Sequence, residues 1–128
     1  MDNSNKHAEY VVTAYAYFER RMRELCAERT GISGPMDADE ARKLIHRHAP
    51  MKLPGGKLWW ELMMLKKISN VLRENAGRLE EHALLHYCRK AGIADEEGAA
   101  RSIRVTPEYS DRVRKLVLEF FQALDSMT

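Results

Sequence analysis

Apolar side chains recur at intervals of three and four along most of this 128-residue chain, the spacing that lines up one face of a helix. From His7 to Arg29 the stripe is Val11, Ala14, Tyr15, Phe18, Met22, Leu25 and Cys26, with Glu19, Arg20, Arg23, Glu24 and Glu28 on the opposite face. The pattern predicts an amphipathic helix of about six turns. Gly31 and then Gly34-Pro35 end it, because glycine accepts left-handed backbone angles and proline cannot continue a helix. A shorter helix is predicted from Asp37, whose carboxylate can cap the first amides while Glu40 stands three residues on, as in a capping box. Its inner face is Ala41, Leu44, Ile45 and His48, and Pro50 stops it.

Pro54-Gly55-Gly56 is turn chemistry. From Leu58 a second long helix carries Trp59, Leu62, Leu65, Ile68, Val71 and Leu72 inward, and Gly77 closes it. Leu79 to Ala91 reads as another helix, with Leu84, Leu85 and Cys88 inward and Gly92 as its stop. Ile93 to Ile103, with Asp95-Glu96-Glu97-Gly98, reads as a surface loop, followed by a short extended piece at Ile103 to Val105. Thr106-Pro107-Glu108 supplies a hydroxyl cap, a proline in the first turn and an acid near the positive end of the dipole. The last helix then carries Tyr109, Val113, Leu116, Val117, Phe120, Phe121 and Leu124. No longer β-period run and no internal repeat are present. The expectation is an all-α bundle of about five helices, one domain over residues 1–128, whose three long helices bury their stripes against one another.

Composition narrows the class. At 45% hydrophobic and 31% charged residues, the chain is too apolar for a disordered tail. No apolar run reaches the ~18–20 residues that a spanning helix needs. The opening Met-Asp-Asn-Ser-Asn-Lys lacks the cationic-then-apolar profile of a signal peptide, so a cytoplasmic location is expected and no membrane partner. A net charge of +2 makes no global demand for nucleic acid. The two cysteines, Cys26 and Cys88, lack metal-cluster spacing and read as free thiols serving as small core residues.

Candidate chemistry is sparse. His46 and His48 diverge on a helix; His82 and His86 share a face but lack the Glu of an HExxH site and a third ligand. No metal site and no cofactor are expected. Pro54-Gly55-Gly56-Lys57 lacks P-loop length and follows no strand. Basic residues are in local excess over Lys66 to Arg78 and over Arg101 to Lys115, faces that could hold phosphates or simply be solvated. Trp59-Trp60 says more. Neighbours on a helix point ~100° apart, so one indole must sit at a boundary, either at a subunit interface or flat under the Pro54-Gly55-Gly56 turn.

The stretch Glu61 to Leu79, with Ser69-Asn70, Glu74-Asn75 and Gly77-Arg78, resembles the signature helix of the HEPN superfamily (higher eukaryotes and prokaryotes nucleotide-binding domains). That helix carries an apolar lead, Arg-Asn, three variable residues, His, and often Asn-x-Gly-Arg. Tyr10 to Leu25, with Phe18-Glu19-Arg20 at its middle, is similar to the family's opening helix, and Thr106 to Leu124 to its closing one. The resemblance implies an all-α bundle paired as a homodimer, with the motif helices meeting across the interface. It further implies, for many members, metal-independent RNase activity in toxin–antitoxin, defence or RNA-processing systems. There the motif Arg binds phosphate and the His moves protons, which suits a reaction that builds phosphorane charge.

This chain departs where that chemistry sits. Ser69 stands at the Arg position and Glu74 at the His position; Asn70, Asn75, Gly77 and Arg78 are kept. A hydroxyl supplies no charge, and an ionised Glu74 would repel a phosphodiester. The expectation is therefore a catalytically degenerate HEPN-like homodimer, a binding or scaffold protein in which Asn70, Asn75 and Arg78 contact a nucleotide, RNA or protein partner. Two alternatives stay open: an RNase with a displaced site built from Arg73, Arg78 and His82, and a small helical regulator acting through protein–protein contacts.

Overall fold

Five helices and one short strand pair follow one another in the computed structural model, which describes residues 3–49, 51–74, 77–97 and 100–127. The helices are α1 (Asn3–Thr30), α2 (Ala38–His48), α3 (Gly56–Glu74), α4 (His82–Ala91) and α5 (Pro107–Met127); strands β1 (Ala94–Asp95) and β2 (Ser102–Ile103) lie between α4 and α5. The architecture is the all-α bundle expected from the periodicity.

The starts and stops are chemical. Asp37 caps α2 by accepting from the Glu40 amide at 2.8 Å, and the Glu40 side chain reaches back to the Asp37 amide, closing the capping box. Thr106 caps α5, its hydroxyl accepting from the Tyr109 amide at 3.1 Å. Gly31 ends α1 at φ +75°, its amide bonded to the Ala27 carbonyl at 3.0 Å. Pro50, read from sequence as the stop of α2, lies outside the described residues.

Three boundaries differ from the periodicity. α1 and α3 each begin earlier than their apolar stripes, at Asn3 and Gly56. α4 begins at His82 and not near Leu79, because the backbone of 77–79 is taken up elsewhere. The Leu79 amide donates to the Arg101 carbonyl (2.8 Å), the Ile103 amide to the Gly77 carbonyl (2.7 Å), and Arg78 bridges Ser102. Within the expected surface loop, β1 and β2 pair antiparallel, Ala94 opposite Ile103 and Asp95 opposite Ser102. The extended piece thus lies at Ser102–Ile103, where it ties the α3–α4 linker to the α4–α5 linker.

The buried side chains form one cluster. Val11, Tyr15, Phe18, Met22 and Cys26 of α1 face it, as do Leu62, Leu65 and Ile68 of α3 and Val113, Val117 and Phe120 of α5. At its centre Phe18 meets Phe120 edge-on at 5.2 Å and Trp59 at 6.0 Å, geometries that favour aromatic pairs beyond their buried area. Two polar ties join α5 to its neighbours: Arg112 to the buried Glu61 carboxylate at 2.9 Å, and Tyr109 to Tyr87 through their hydroxyls at 3.1 Å. Cys26 and Cys88 are free and buried, and burial pushes the Cys88 thiol up to about 12. No helix among the described residues is long and apolar enough to cross a membrane.

Candidate functional site

α1 and α3 pass each other antiparallel: Ala8 and Glu9 lie beside Leu72 and Arg73, whereas Phe18 lies beside Trp59. Next to this crossing the N-terminus of α2 stands off, and a cleft of about 290 Å³ opens between the three elements. From α3 it takes Lys66, Ser69, Asn70 and Arg73, which recur at threes and fours and share one face. From α1 it takes Val12, Tyr15, Ala16 and Glu19, and from the α2 cap Asp37.

The polar groups are placed by one another. Glu19 accepts from the Tyr15 hydroxyl (3.3 Å) and the Ala38 amide (3.4 Å) at one oxygen, and from Arg23 (3.4 Å) at the other. It thereby fastens the first turn of α2 to α1. Lys66 donates to Asp37 at 2.9 Å and fastens the same turn to α3. Burial raises the Asp37 pKa, but the Glu40 amide and the Lys66 ammonium outweigh it, leaving the carboxyl below its ordinary range. Burial and the adjacent Glu19 carboxylate push the Tyr15 phenol well above its usual value.

Ser69 is 2% exposed and lines the cleft, yet its hydroxyl makes no hydrogen bond among the described residues. Beside it, Asn70 accepts from Arg73 at 2.8 Å through its side-chain oxygen, and its amide nitrogen has no hydrogen bond among the described residues.

Two of the three motif positions, Ser69 and Asn70, are therefore together in the cleft, with Arg73 at its rim. Glu74, the last residue of α3, is exposed and does not line it. Asn75 lies outside the described residues. Arg78 and His82 do not form a site on one helical face: Arg78 is exposed in the bridged segment, and His82 is the exposed first residue of α4. The i, i+4 geometry that would pair them requires a continuous helix, and the β-bridge to Ser102 replaces it. Among the described residues no group of three or more His, Cys, Asp or Glu is placed to hold a metal ion.

Tyr15, Glu19, Asp37 and Lys66 are cleft residues that the sequence did not single out as site residues. Tyr15 and Glu19 are four apart at the edge of a core stripe, the one local hint. Asp37 reads in sequence only as a cap, and Lys66 only as part of a basic stretch. Trp60 is the boundary indole, 52% exposed and T-shaped against Tyr87 at 5.7 Å. The Pro54-Gly55-Gly56 turn is packed instead by Arg42, which donates to the Pro54 carbonyl (2.9 Å) and lies over Trp59 at 4.3 Å.

No protein-family model, no curated protein and no solved structure matches this chain.

Proposed function

We propose that this chain is a catalytically degenerate HEPN-like protein that works by binding, as a homodimer, through the cleft between α1, α2 and α3. One observation carries the reading. At the position where the HEPN resemblance calls for a phosphate-binding guanidinium, Ser69 offers the cleft only a neutral hydroxyl, and no imidazole lines that cleft. A preorganised group of that kind is commonly worth ~2.7–4 kcal/mol of barrier. Without it, the remaining cations Lys66 and Arg73 are matched by Glu19 and Asp37, and with no imidazole in the cleft RNA cleavage lacks its usual acid–base group. The half-exposed indole of Trp60 on α3 supports a second copy as partner, because large aromatics are enriched at the centres of subunit contacts.

The test is to incubate the purified protein with labelled RNA beside an Arg78→Ala, His82→Ala double variant, and to sediment both. The expected result is intact RNA in every reaction and a dimer that Trp60→Lys converts to monomer. Cleavage by the wild type that disappears in the double variant would restore the displaced-site RNase. A monomeric wild type would remove the homodimer.

A further inference from the structure

The hydrogen bonds of the cleft leave an imbalance between engaged acceptors and open donors. Its carboxylates and amide oxygen already receive protein donors: Glu19 receives Tyr15, Arg23 and the Ala38 amide, Asp37 receives Lys66 and the Glu40 amide, and the Asn70 oxygen receives Arg73. Its own donors are open. The Ser69 hydroxyl, the Asn70 amide nitrogen and the remaining N–H groups of Lys66 and Arg73 have no other partner among the described residues. A cleft whose carboxylates and amide oxygen are engaged by the protein and whose donors are open favours an acceptor, and charged donors favour an anionic one.

The charge of the lining narrows the anion. Lys66 and Arg73 are balanced by Glu19 and Asp37, so a dianionic phosphate would enter against two carboxylates with no surplus of cation. A single negative charge meets less repulsion, and a planar carboxylate matches the fork of the Arg73 guanidinium. The α1 wall is otherwise apolar, formed by Val12, Ala16 and the Tyr15 ring, and water in contact with it is displaced favourably by hydrocarbon. A cleft of about 290 Å³ suits a small molecule and not a polymer segment.

We infer that the cleft binds a small apolar monocarboxylate, its carboxylate oxygens held by Ser69, Asn70 and Arg73 and its body laid against Tyr15 and Val12. This rests on the reading of the cleft as a binding site and names what it binds.

Isothermal titration of the full-length protein with sodium benzoate tests it, with benzyl alcohol, inorganic phosphate and adenosine monophosphate as parallel titrants. Saturable benzoate binding is expected, with no matching response to the other three. Arg73→Ala should weaken it by about 10- to 100-fold, the usual weight of a charge-assisted bond. Arg73→Lys should fall between, keeping the charge and losing the fork. Arg73 is exposed, so circular dichroism of these variants should match the wild type. The inference is overturned if benzoate gives no saturable heat at millimolar concentration, if benzyl alcohol or phosphate binds as tightly, or if Arg73→Ala leaves affinity unchanged. Intact RNA together with silent benzoate would sink the ligand assignment and leave the binding reading standing; cleaved RNA would sink the binding reading itself.

Discussion

Phe18 and Glu19 are neighbours in sequence and occupy opposite kinds of environment. A turn of ~100° between successive residues sends Phe18 into the seam with Trp59 and Phe120 and sends Glu19 to the cleft with Asp37 and Lys66 nearby. The seam is held by rings in contact, where every buried atom adds area removed from water and dispersion with its neighbours. The cleft is held by ion pairs and hydrogen bonds whose groups remain about a quarter to a third exposed: 25% for Glu19, 29% for Lys66 and 33% for Asp37. Such contacts gain little net stability, because water competes for each of them. One flank of α1 therefore carries the fold, and the other is free to hold polar groups in positions that packing would not choose.

Truncating the seam should give the largest effect. Phe18 is fully buried and touches rings from α3 and α5, so Phe18→Ala leaves a cavity that three helices cannot readily collapse. A loss of ~3–5 kcal/mol is expected from urea unfolding of the purified variant. A loss below ~1 kcal/mol would mean that the seam repacks and that the contrast between the flanks is not one of stability.

The two flanks were also unequally legible. The seam is written in local periodicity, since Val11, Phe18 and Met22 announce their face by spacing. The caps at Asp37 and Thr106 were readable too, because capping chemistry lies within four residues. The cleft joins Glu19 to Ala38 and Asp37 to Lys66, 19 and 29 residues apart, and no helical period encodes those meetings. Ser69 and Asn70 were reached through resemblance, not spacing. The strand pair escaped for the same reason as the ion pairs: two-residue strands carry no alternation to read, and their partners lie across a loop. Reading Leu79 as helical has the same cause, and Arg78 and His82 consequently do not share one helical face.

Breaking the cleft where it supports α2 should cost less than breaking the seam. Asp37→Ala removes a helix cap and the Lys66 partner but leaves the Glu19 bond to the Ala38 amide, so a loss of about 1 kcal/mol is expected by urea unfolding. The loss should depend on pH in a definite direction. The folded state holds the Asp37 carboxyl below its ordinary pKa, so the stabilisation is complete above the unfolded value of about 3.9. It declines as pH falls below that value and through the folded pKa. Unfolding curves of wild type and variant should hence be about 1 kcal/mol apart at pH 7 and draw together in acid. A gap that stays constant down to pH 2 would show that the carboxylate charge contributes nothing.

The smallest expected change in stability is the one that best separates the two flanks. Ser69 is as buried overall as the residues of the seam, but its hydroxyl reaches the open cleft; a hydroxyl kept for the core would be bonded within the protein. Here it is not, and serine is also a weaker helix former than alanine by up to ~0.5 kcal/mol. Ser69→Ala should therefore leave the protein as stable as the wild type or more stable by up to ~0.5 kcal/mol, while weakening benzoate several-fold, roughly the share of one neutral hydrogen bond. Opposite signs for stability and binding at one buried position are what a side chain kept for a ligand produces, since a group that serves the fold loses both together. Chemical denaturation and titration of the same preparation read the two signs. A stability loss above ~1 kcal/mol would make Ser69 a structural residue and return that side of the cleft to the core.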